Sequence, residues 1–206
     1  MLKHMSVAIR ITIASIIVFG LIYPFAMTGL AQLLFPNQAN GSLVRANGKV
    51  IGSDIIGQLW TKPQYFHGRP SAAGKGYDPT STGGTNLGPT SKKLIDATKA
   101  TIAQIRKENP NARGLPPMDL ITSSASGIDP DISPEGAYYQ AARVAAARGV
   151  PVGRINALIT QHLQGRQLGF LGEPHVNVLE LNLALDALPA RRGAVQESEA
   201  LARRPQ

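Results

Sequence analysis

Hydroxyl side chains are concentrated at residues 123–126, Ser-Ser-Ala-Ser, which makes this stretch the first candidate for a nucleophile. A nucleophilic serine needs an adjacent base, and His67 and His175 are the histidines that a hydrolase or ligand-binding site would recruit. The stretch lacks the G-x-S-x-G pattern of a nucleophile elbow, and no spacing ties a histidine to it. Turn-forming hydrogen bonds are therefore the favoured role of these serines. One functional hypothesis that these serines leave open is a hydrolase or ligand-binding module, which an apolar segment at residues 11–34 would anchor to a membrane.

Two glycine-rich runs could in principle cradle a phosphate group. Residues 68–76, GRPSAAGKG, have one residue too many between the two glycines of a phosphate-binding loop. Gly76 also stands where that loop needs a hydroxyl for magnesium. Residues 83–86, Gly-Gly-Thr-Asn, follow no strand pattern. Neither run predicts a phosphate site.

Paired carboxylates at Asp129 and Asp131 could bind a metal ion or act as acid and base. No third ligand stands at a recognised spacing, so capping and turn roles are favoured for both. The chain contains no cysteine, which excludes disulfide bridges, thiolate catalysis and cysteine-ligated metals. The sequence therefore predicts no catalytic residue, no metal site and no cofactor bound by this chain.

One stretch, residues 11–34, is apolar and carries no charged residue. If it spans a membrane, it fixes the position of everything after it. A helix of this length reaches roughly 36 Å, and a bilayer's hydrocarbon core is about 30 Å thick. The stretch therefore predicts a transmembrane helix. Pro24 lacks an N–H, so a kink is expected near residues 20–23, where neighbouring helices would cover the freed carbonyls. A cleaved signal peptide is the alternative, but its apolar core is usually shorter, about 7–15 residues.

Charge gives a weak indication of orientation. Residues 1–10 carry Lys3 and Arg10 ahead of the apolar stretch, while Arg45 and Lys49 follow it. The positive-inside bias thus slightly favours a short, basic, cytoplasmic amino terminus and an extracytoplasmic domain. The formal net charge of +8 is scattered along the chain and aromatic residues are only 5%, so no nucleic-acid partner is predicted.

Residues 35–189 are expected to form one soluble domain of mixed α/β class, followed by a mobile tail at residues 190–206. Caps, prolines and apolar periodicity predict helices near residues 55–60, over 92–109, and from residues 134, 151 and 174 onward. Short strands are expected at residues 42–46 and 115–122. Residues 61–89 lose periodicity but keep aromatic residues, which indicates an ordered loop.

Six motifs give the domain a specific resemblance to a known family. They are GSDIIGQ at residues 52–58, YFHGRPSA at 65–72, GGTNLGP at 83–89, GIDPDISP at 127–134, QAARVAAARG at 140–149 and GEPHVNVLELNLALD at 172–186. In this order, and with one anchor helix ahead of them, the motifs resemble those of the C chain of the Kdp-type potassium-transporting P-type ATPase.

The resemblance implies an accessory subunit of an ATP-driven potassium uptake complex in the bacterial inner membrane. In such complexes a separate subunit hydrolyses ATP and another conducts potassium, so both would be partners, together with the lipid bilayer. The C chain is needed for assembly and is proposed to raise the ATP affinity of the hydrolysing subunit. The complex, rather than this chain, would handle ATP and potassium.

Four residues follow as candidate site residues. The family's nucleotide-linked glutamine falls on Gln140, but an extracytoplasmic Gln140 would not meet cytoplasmic ATP. A packing role is therefore placed first for this residue and a nucleotide contact second. Gly20, Tyr23 and Pro24, at the expected kink, are the candidate residues for contact with other subunits in the membrane.

Overall fold

The computed structural model describes residues 2–46 and 48–188, and this part of the chain is mixed α/β. The predicted tail at residues 190–206 lies outside the described residues. The chain divides into two compact units that meet in sequence at Ser53 and Asp54. The predicted fold class, helices with small sheets and one apolar amino-terminal helix, is confirmed.

The first unit begins with a long helix built from three segments. These are α1 (Leu2–Ser15), a π-helical segment (Ile16–Ile22) and α2 (Tyr23–Leu34). Residues Lys3–Leu34 are long and apolar enough to cross a membrane. Large side chains along it are exposed, among them Phe19 at 69% and Phe25 at 73%. The described side chains of this helix are therefore not packed into a hydrophobic core.

The π-helical segment ends two residues before Pro24 and overlaps residues 20–23, where the sequence predicts a kink. Tyr23 N–H donates to Val18 O, five residues back instead of four. Pro24 has no N–H to donate and its ring clashes with the preceding turn, so regular α geometry is interrupted there. The sequence indicated where the helix departs from α geometry, but not that the departure would be π-helical.

After the helix, a short helix α3 (Pro36–Ala39) leads into an antiparallel hairpin of β1 (Leu43–Ala46) and β2 (Lys49–Ser53). The predicted strand at residues 42–46 is confirmed. The predicted helix at residues 55–60 is wrong, since no helix occurs between β2 and α4. Ser53 does not cap a helix: its Oγ donates to Gly41 O at 2.7 Å. Gly57 N–H instead bonds Ile128 O at 2.7 Å, which draws the chain into an extended path.

The second unit contains five helices and a small three-stranded antiparallel sheet in the described residues. The helices are α4 (Lys92–Glu108), α5 (Met118–Ile121), α6 (Pro134–Arg148), α7 (Val152–Gln161) and α8 (Val178–Ala187). The strands are β3 (Asp131–Ile132), β4 (Leu163–Gln164) and β5 (His175–Asn177), with β5 in the middle.

Helix α6 is the centre of the core and follows its sequence signals closely. Ser133 Oγ accepts from Gly136 N–H at 2.9 Å, Pro134 takes the first helical position, and Gly149 ends the helix with φ +65°. Its alanines let α7 approach closely, and Val144, Ile155 and Leu185, one each from α6, α7 and α8, are fully buried in one cluster. The predicted helix over residues 92–109 is also confirmed, as α4.

Two local predictions in this unit need correction. The strand expected at residues 115–122 is instead a single helical turn, α5, because Pro117 precedes it and Asp119 turns back to accept Ser133 N–H at 2.7 Å. The last helix begins at Val178 rather than at Pro174, since β5 lies between them. Asn177 caps this helix by accepting Glu180 N–H at 3.1 Å.

Candidate functional site: a segment clamped by buried side chains

Residues 63–67, here called the clamped segment, run through the second unit without belonging to a helix or strand. Each of their five backbone carbonyls accepts a hydrogen bond from a side chain of α6 or α8. The donors, in chain order of the carbonyl, are Arg143 for residue 63, Arg148 for 64, Arg143 for 65, Asn182 for 66 and Gln140 for 67. Side chains thus satisfy backbone carbonyls that lie outside any helix or strand.

Two carboxamides hold neighbouring residues of the clamped segment in the same way. Asn182 accepts Phe66 N–H at 2.8 Å and donates to Phe66 O at 3.0 Å. Gln140 accepts His67 N–H at 2.8 Å and donates to His67 O at 3.0 Å. Gln140 is 2% exposed, and Asn182 and Phe66 are fully buried. Each amide therefore pairs with a backbone as a neighbouring strand would.

Gln140, the candidate nucleotide-linked residue, has all its hydrogen-bonding positions occupied. Besides its two bonds to His67, its Nε2 donates to Gly136 O at 3.2 Å and its Oε1 accepts from Arg143 Nη2 at 2.7 Å. A carboxamide has two donor hydrogens and one oxygen with two lone pairs. A ligand would have to displace one of these four bonds, and the nucleotide contact of Gln140 stays a prediction.

Arg143 links three parts of the site. Its Nη1 donates to Pro63 O at 2.6 Å and Tyr65 O at 3.0 Å, and its Nε donates to Asn109 Oδ1 at 3.0 Å at the end of α4. Burial lowers the pKa of the Arg143 guanidinium, and the nearby Glu108 carboxylate opposes that shift. An arginine stays charged despite such a shift, so a fixed cation lies beneath the clamped segment.

Arg148 and Asp186 hold Gln64 and Tyr65 of the clamped segment. Arg148 donates to Gln64 O at 2.8 Å and to Asp186 Oδ1 at 2.7 Å, and its guanidinium lies 5.0 Å from the centre of the Tyr65 ring. Tyr65 donates its hydroxyl to Asp186 Oδ2 at 2.9 Å. This hydrogen bond to a carboxylate raises the pKa of Tyr65, with a smaller contribution from burial. The ring also packs at 4.8 Å from Trp60.

A cavity of about 450 Å³ opens beside the clamped segment. Its lining includes Trp60, Arg69, Tyr77 and Glu108. Trp60 Nε1 and Arg69 Nε are buried there and have no hydrogen-bond partner among the described residues. Burial raises the pKa of Tyr77 to about 12, and its hydroxyl donates to Arg69 O at 2.6 Å. The hydrogen bond of the Tyr77 hydroxyl holds Tyr77 and Arg69, which both lie in the loop after the clamped segment, against each other.

His67 stands at the edge of this cavity and faces acidic and basic groups. Its Nδ1 lies 3.4 Å from Glu108 Oε2, and its Nε2 lies 3.1 Å from Lys62 O. Burial lowers the pKa of His67, and the positive charge of Arg143 adds to the shift, against the opposing effect of Glu108. The neutral imidazole is therefore favoured near neutral pH.

Two of the serines at residues 123–126, Ser124 and Ser126, take part in turn hydrogen bonds. Ser124 Oγ accepts Gly127 N–H at 2.8 Å, and Ser126 Oγ accepts Ile128 N–H at 3.3 Å. Among the contacts of the described residues, neither His67 nor His175 bonds one of these serines. The geometry therefore does not bring together the residues of the alternative hydrolase site.

The two aspartates of the candidate metal pair are also used locally. Asp129 Oδ2 accepts from Arg69 Nη1 at 2.8 Å, and Asp129 Oδ1 accepts Asp131 N–H at 3.1 Å. Asp131 lies 4.0 Å from His175 Nε2; burial raises its pKa and the charge of His175 opposes the rise. Over residues 2–46 and 48–188, no group of three acidic or histidine side chains is placed to hold a metal ion.

Sequence reasoning singled out Gln140 but missed Asn182, Arg143 and Arg148, which share its task. A signal was present, because all four lie within the two helical motifs at residues 140–149 and 172–186. The candidate membrane contacts lie in the first unit: Gly20 falls inside the π-helical segment, and Tyr23 and Pro24 open α2. Their contact with other subunits stays a prediction.

Comparison with known proteins gives one consistent result. The model of the family described as "K+-transporting ATPase, c chain" matches residues 5–187. The "Potassium-transporting ATPase KdpC subunit" of Koribacter versatilis is 51% identical over 187 residues, covering 90% of this chain and 95% of the relative. The protein of the same name from Nitratidesulfovibrio vulgaris is 56% identical over 171 residues, covering 82% and 87%. That of Myxococcus xanthus is 54% identical over 180 residues, covering 87% and 85%.

Proposed function

The chain belongs to the family of K+-transporting ATPase C chains, and on that premise we propose that its contribution to the pump is structural rather than catalytic. It acts as an accessory subunit that stabilises the assembled complex and assists the subunit that hydrolyses ATP. The supporting observation is the use of its polar side chains: Gln140, Asn182 and Arg143 hold the chain's own backbone. We expect the purified full chain to show no ATP turnover, and measurable turnover by the chain alone would contradict the proposal.

The proposed partners are the ATP-hydrolysing and potassium-conducting subunits of the same pump. An apolar helix with exposed side chains along its length supports this assignment, because it must be covered by lipid or by other helices. Purification of a tagged chain in mild detergent provides the test. We expect large membrane subunits to co-purify with it, whereas recovery of a stable lone chain would favour the hydrolase or binding-module alternative.

The proposed location is the bacterial inner membrane, with the amino terminus in the cytoplasm and the second unit outside it. The positive charges of Lys3 and Arg10 ahead of the apolar stretch support this orientation. Because the chain has no cysteine, a single Gln161→Cys variant on the exposed surface of α7 reports sidedness cleanly. We expect a membrane-impermeant maleimide to label this cysteine in spheroplasts, in which the inner membrane is intact. Labelling that occurs only after lysis would show the opposite orientation.

ATP and potassium are proposed to be bound by the other subunits. For Gln140 we place the clamp role first, since its four hydrogen-bonding positions are filled within the chain. A photoreactive ATP analogue offered to the assembled pump tests the second role directly. We expect labelling of the hydrolysing subunit only. A labelled peptide of this chain that includes Gln140 would contradict this ordering.

A further inference from the structure

The helix around Pro24 has more backbone acceptors than donors. Tyr23 N–H donates to Val18 O, and the carbonyl of Ile22, at the N-cap of α2, accepts the first N–H bond of that helix. The carbonyls of residues 19–21 lie between these two. Since Pro24 has no N–H, Phe25 N–H is the one backbone donor left for the three. Two of these carbonyls therefore have no donor in their own helix.

Side chains do not make up this deficit. Within residues 2–46 and 48–188, no side chain donates to a carbonyl of residues 19–21; the amide of Gln32, the nearest one shown bonding, pairs with Asn40. The turn lies near the middle of the apolar stretch, where a bilayer offers no water. An unsatisfied backbone group in hydrocarbon costs several kcal/mol. A donor on a neighbouring helix would satisfy these carbonyls and stabilise the helix there.

Gly20 keeps the approach to these carbonyls clear. A Cβ at this position would meet only Ile16 Cγ2, at 3.8 Å, and Gly20 is not among the glycines with positive φ. Nothing in the chain's own packing therefore requires glycine. In a helix interior glycine is less favourable than alanine by roughly 0.5–1 kcal/mol. Because Gly20 has no side chain, the carbonyls of residues 19–21 are accessible to a neighbouring helix.

We propose that residues 19–24, here called the proline turn, bind a transmembrane helix of another pump subunit that presents a hydroxyl or carboxamide donor. This inference rests on the proposed function, in which the helix spans the membrane beside its partners. Serine, threonine, asparagine and glutamine donate across membrane helices without the cost of a buried charge. A second copy of this chain is a poorer occupant, because residues 11–34 contain no G-x-x-x-G motif.

The test uses the whole pump, with all subunits co-expressed, and compares Gly20→Leu with Gly29→Leu. Both substitutions add the same side chain to the same helix. A Cβ at Gly29 meets nothing within 4 Å, so Gly29→Leu is the matched control. Membrane fractionation first establishes that both variants are inserted. We expect Gly20→Leu to lower the amount of co-purified partner subunits at least tenfold, and Gly29→Leu to change it less than twofold.

The outcomes separate this inference from the proposed function. If the wild-type chain retains no partner, the proposed function fails and this inference with it. If the wild type retains partners and Gly20→Leu retains them as well as Gly29→Leu does, this inference alone is overturned. A wild-type chain that forms a homo-oligomer through residues sensitive to Gly20→Leu, without other subunits, also overturns it.

Pro24→Ala tests the hydrogen-bond part of the inference. Alanine restores an N–H at residue 24, so one of the two carbonyls gains a donor within the helix. We expect the lone chain to become more heat-stable in detergent, while its retention of partner subunits at raised detergent concentration falls several-fold. Unchanged retention together with unchanged heat stability would show that these carbonyls do not take part in assembly.

Discussion

The clamped segment and the proline turn pose the same physical problem and resolve it differently. In both, backbone carbonyls lack the N–H partners of regular secondary structure. In the clamped segment, five carbonyls in succession receive donors from side chains of the same chain. In the proline turn, two of three carbonyls receive none from it. Every carbonyl of the clamped segment thus has a donor within the chain, whereas two carbonyls of the proline turn have none.

This difference separates self-sufficient parts of the chain from parts built for a partner. A buried polar group without a hydrogen bond is costly, so its partner must be found within the fold or across an interface. Gln140 and Asn182 find theirs within the fold. Changes in the clamped segment should therefore alter the stability of the chain, whereas changes in the proline turn should alter assembly.

The largest expected effect is at Asn182. Asn182→Ala would leave both Phe66 N–H and Phe66 O without partners in a fully buried position. At about 1–3 kcal/mol for each of these two unsatisfied groups, the free energy of unfolding should fall by about 2–6 kcal/mol. Chemical denaturation of the full chain in detergent measures it. Gln161→Ala, at an exposed amide on α7, is the matched control and should change stability by less than about 0.5 kcal/mol. Equal stability of the two variants would mean that the clamp contributes nothing.

A pair of glycine substitutions contrasts the two units next. A Cβ at Gly57 would press against Asp129 O and lie 2.5 Å from Tyr77 Cε1, whereas a Cβ at Gly20 meets only Ile16 Cγ2, at 3.8 Å. Gly57→Ala should therefore lower the free energy of unfolding by about 1–3 kcal/mol, as overpacking does. Gly20→Ala should leave it unchanged or slightly raised. Thermal unfolding of both variants in detergent measures this, and the reverse order of stabilities would break the contrast.

The smallest expected effect is a pH dependence from His67. Because burial and Arg143 lower its pKa, the unfolded chain takes up a proton near its ordinary pKa of about 6.5, while the folded chain does so only at lower pH. The free energy of unfolding should therefore fall as the pH drops from about 6.5 to the folded-state pKa. His67→Gln removes this contribution. Plots of the free energy of unfolding against pH should therefore have the same slope for the wild type and the variant above about pH 7, and different slopes below about pH 6.5. Parallel pH profiles would contradict the shift.

Local signals in the sequence were sufficient for the elements that depend on neighbours in the chain. Ser133, Pro134 and Gly149 fixed the ends of α6, and Pro24 indicated the irregular part of the long helix. The failures have local causes too. Residues 55–60 have helical spacing, but Gly57 pairs with Ile128 instead, and Pro117 and Asp119 favour a turn of helix over the expected strand.

The clamp could not be predicted because its partners are far apart in sequence. Asn182 and Phe66 are separated by 116 residues, and Gln140 and His67 by 73. Spacing rules describe neighbours on one helix or strand, and they carry no information about which loop lies against a helix face. Gln140 was singled out only through the family resemblance, and its hydrogen bonds became visible only in the folded chain.

The central claim, that Gln140 acts by holding the clamped segment, is tested most directly by the ATP dependence of the assembled pump. Gln140→Ala and Asn182→Ala each release one residue of that segment, but only Gln140 is the candidate nucleotide contact. ATP hydrolysis should be measured against ATP concentration for both variants, purified as intact complexes. We predict half-maximal ATP concentrations within twofold of each other. A tenfold or greater rise for Gln140→Ala, with Asn182→Ala equal to the wild type, would contradict the claim.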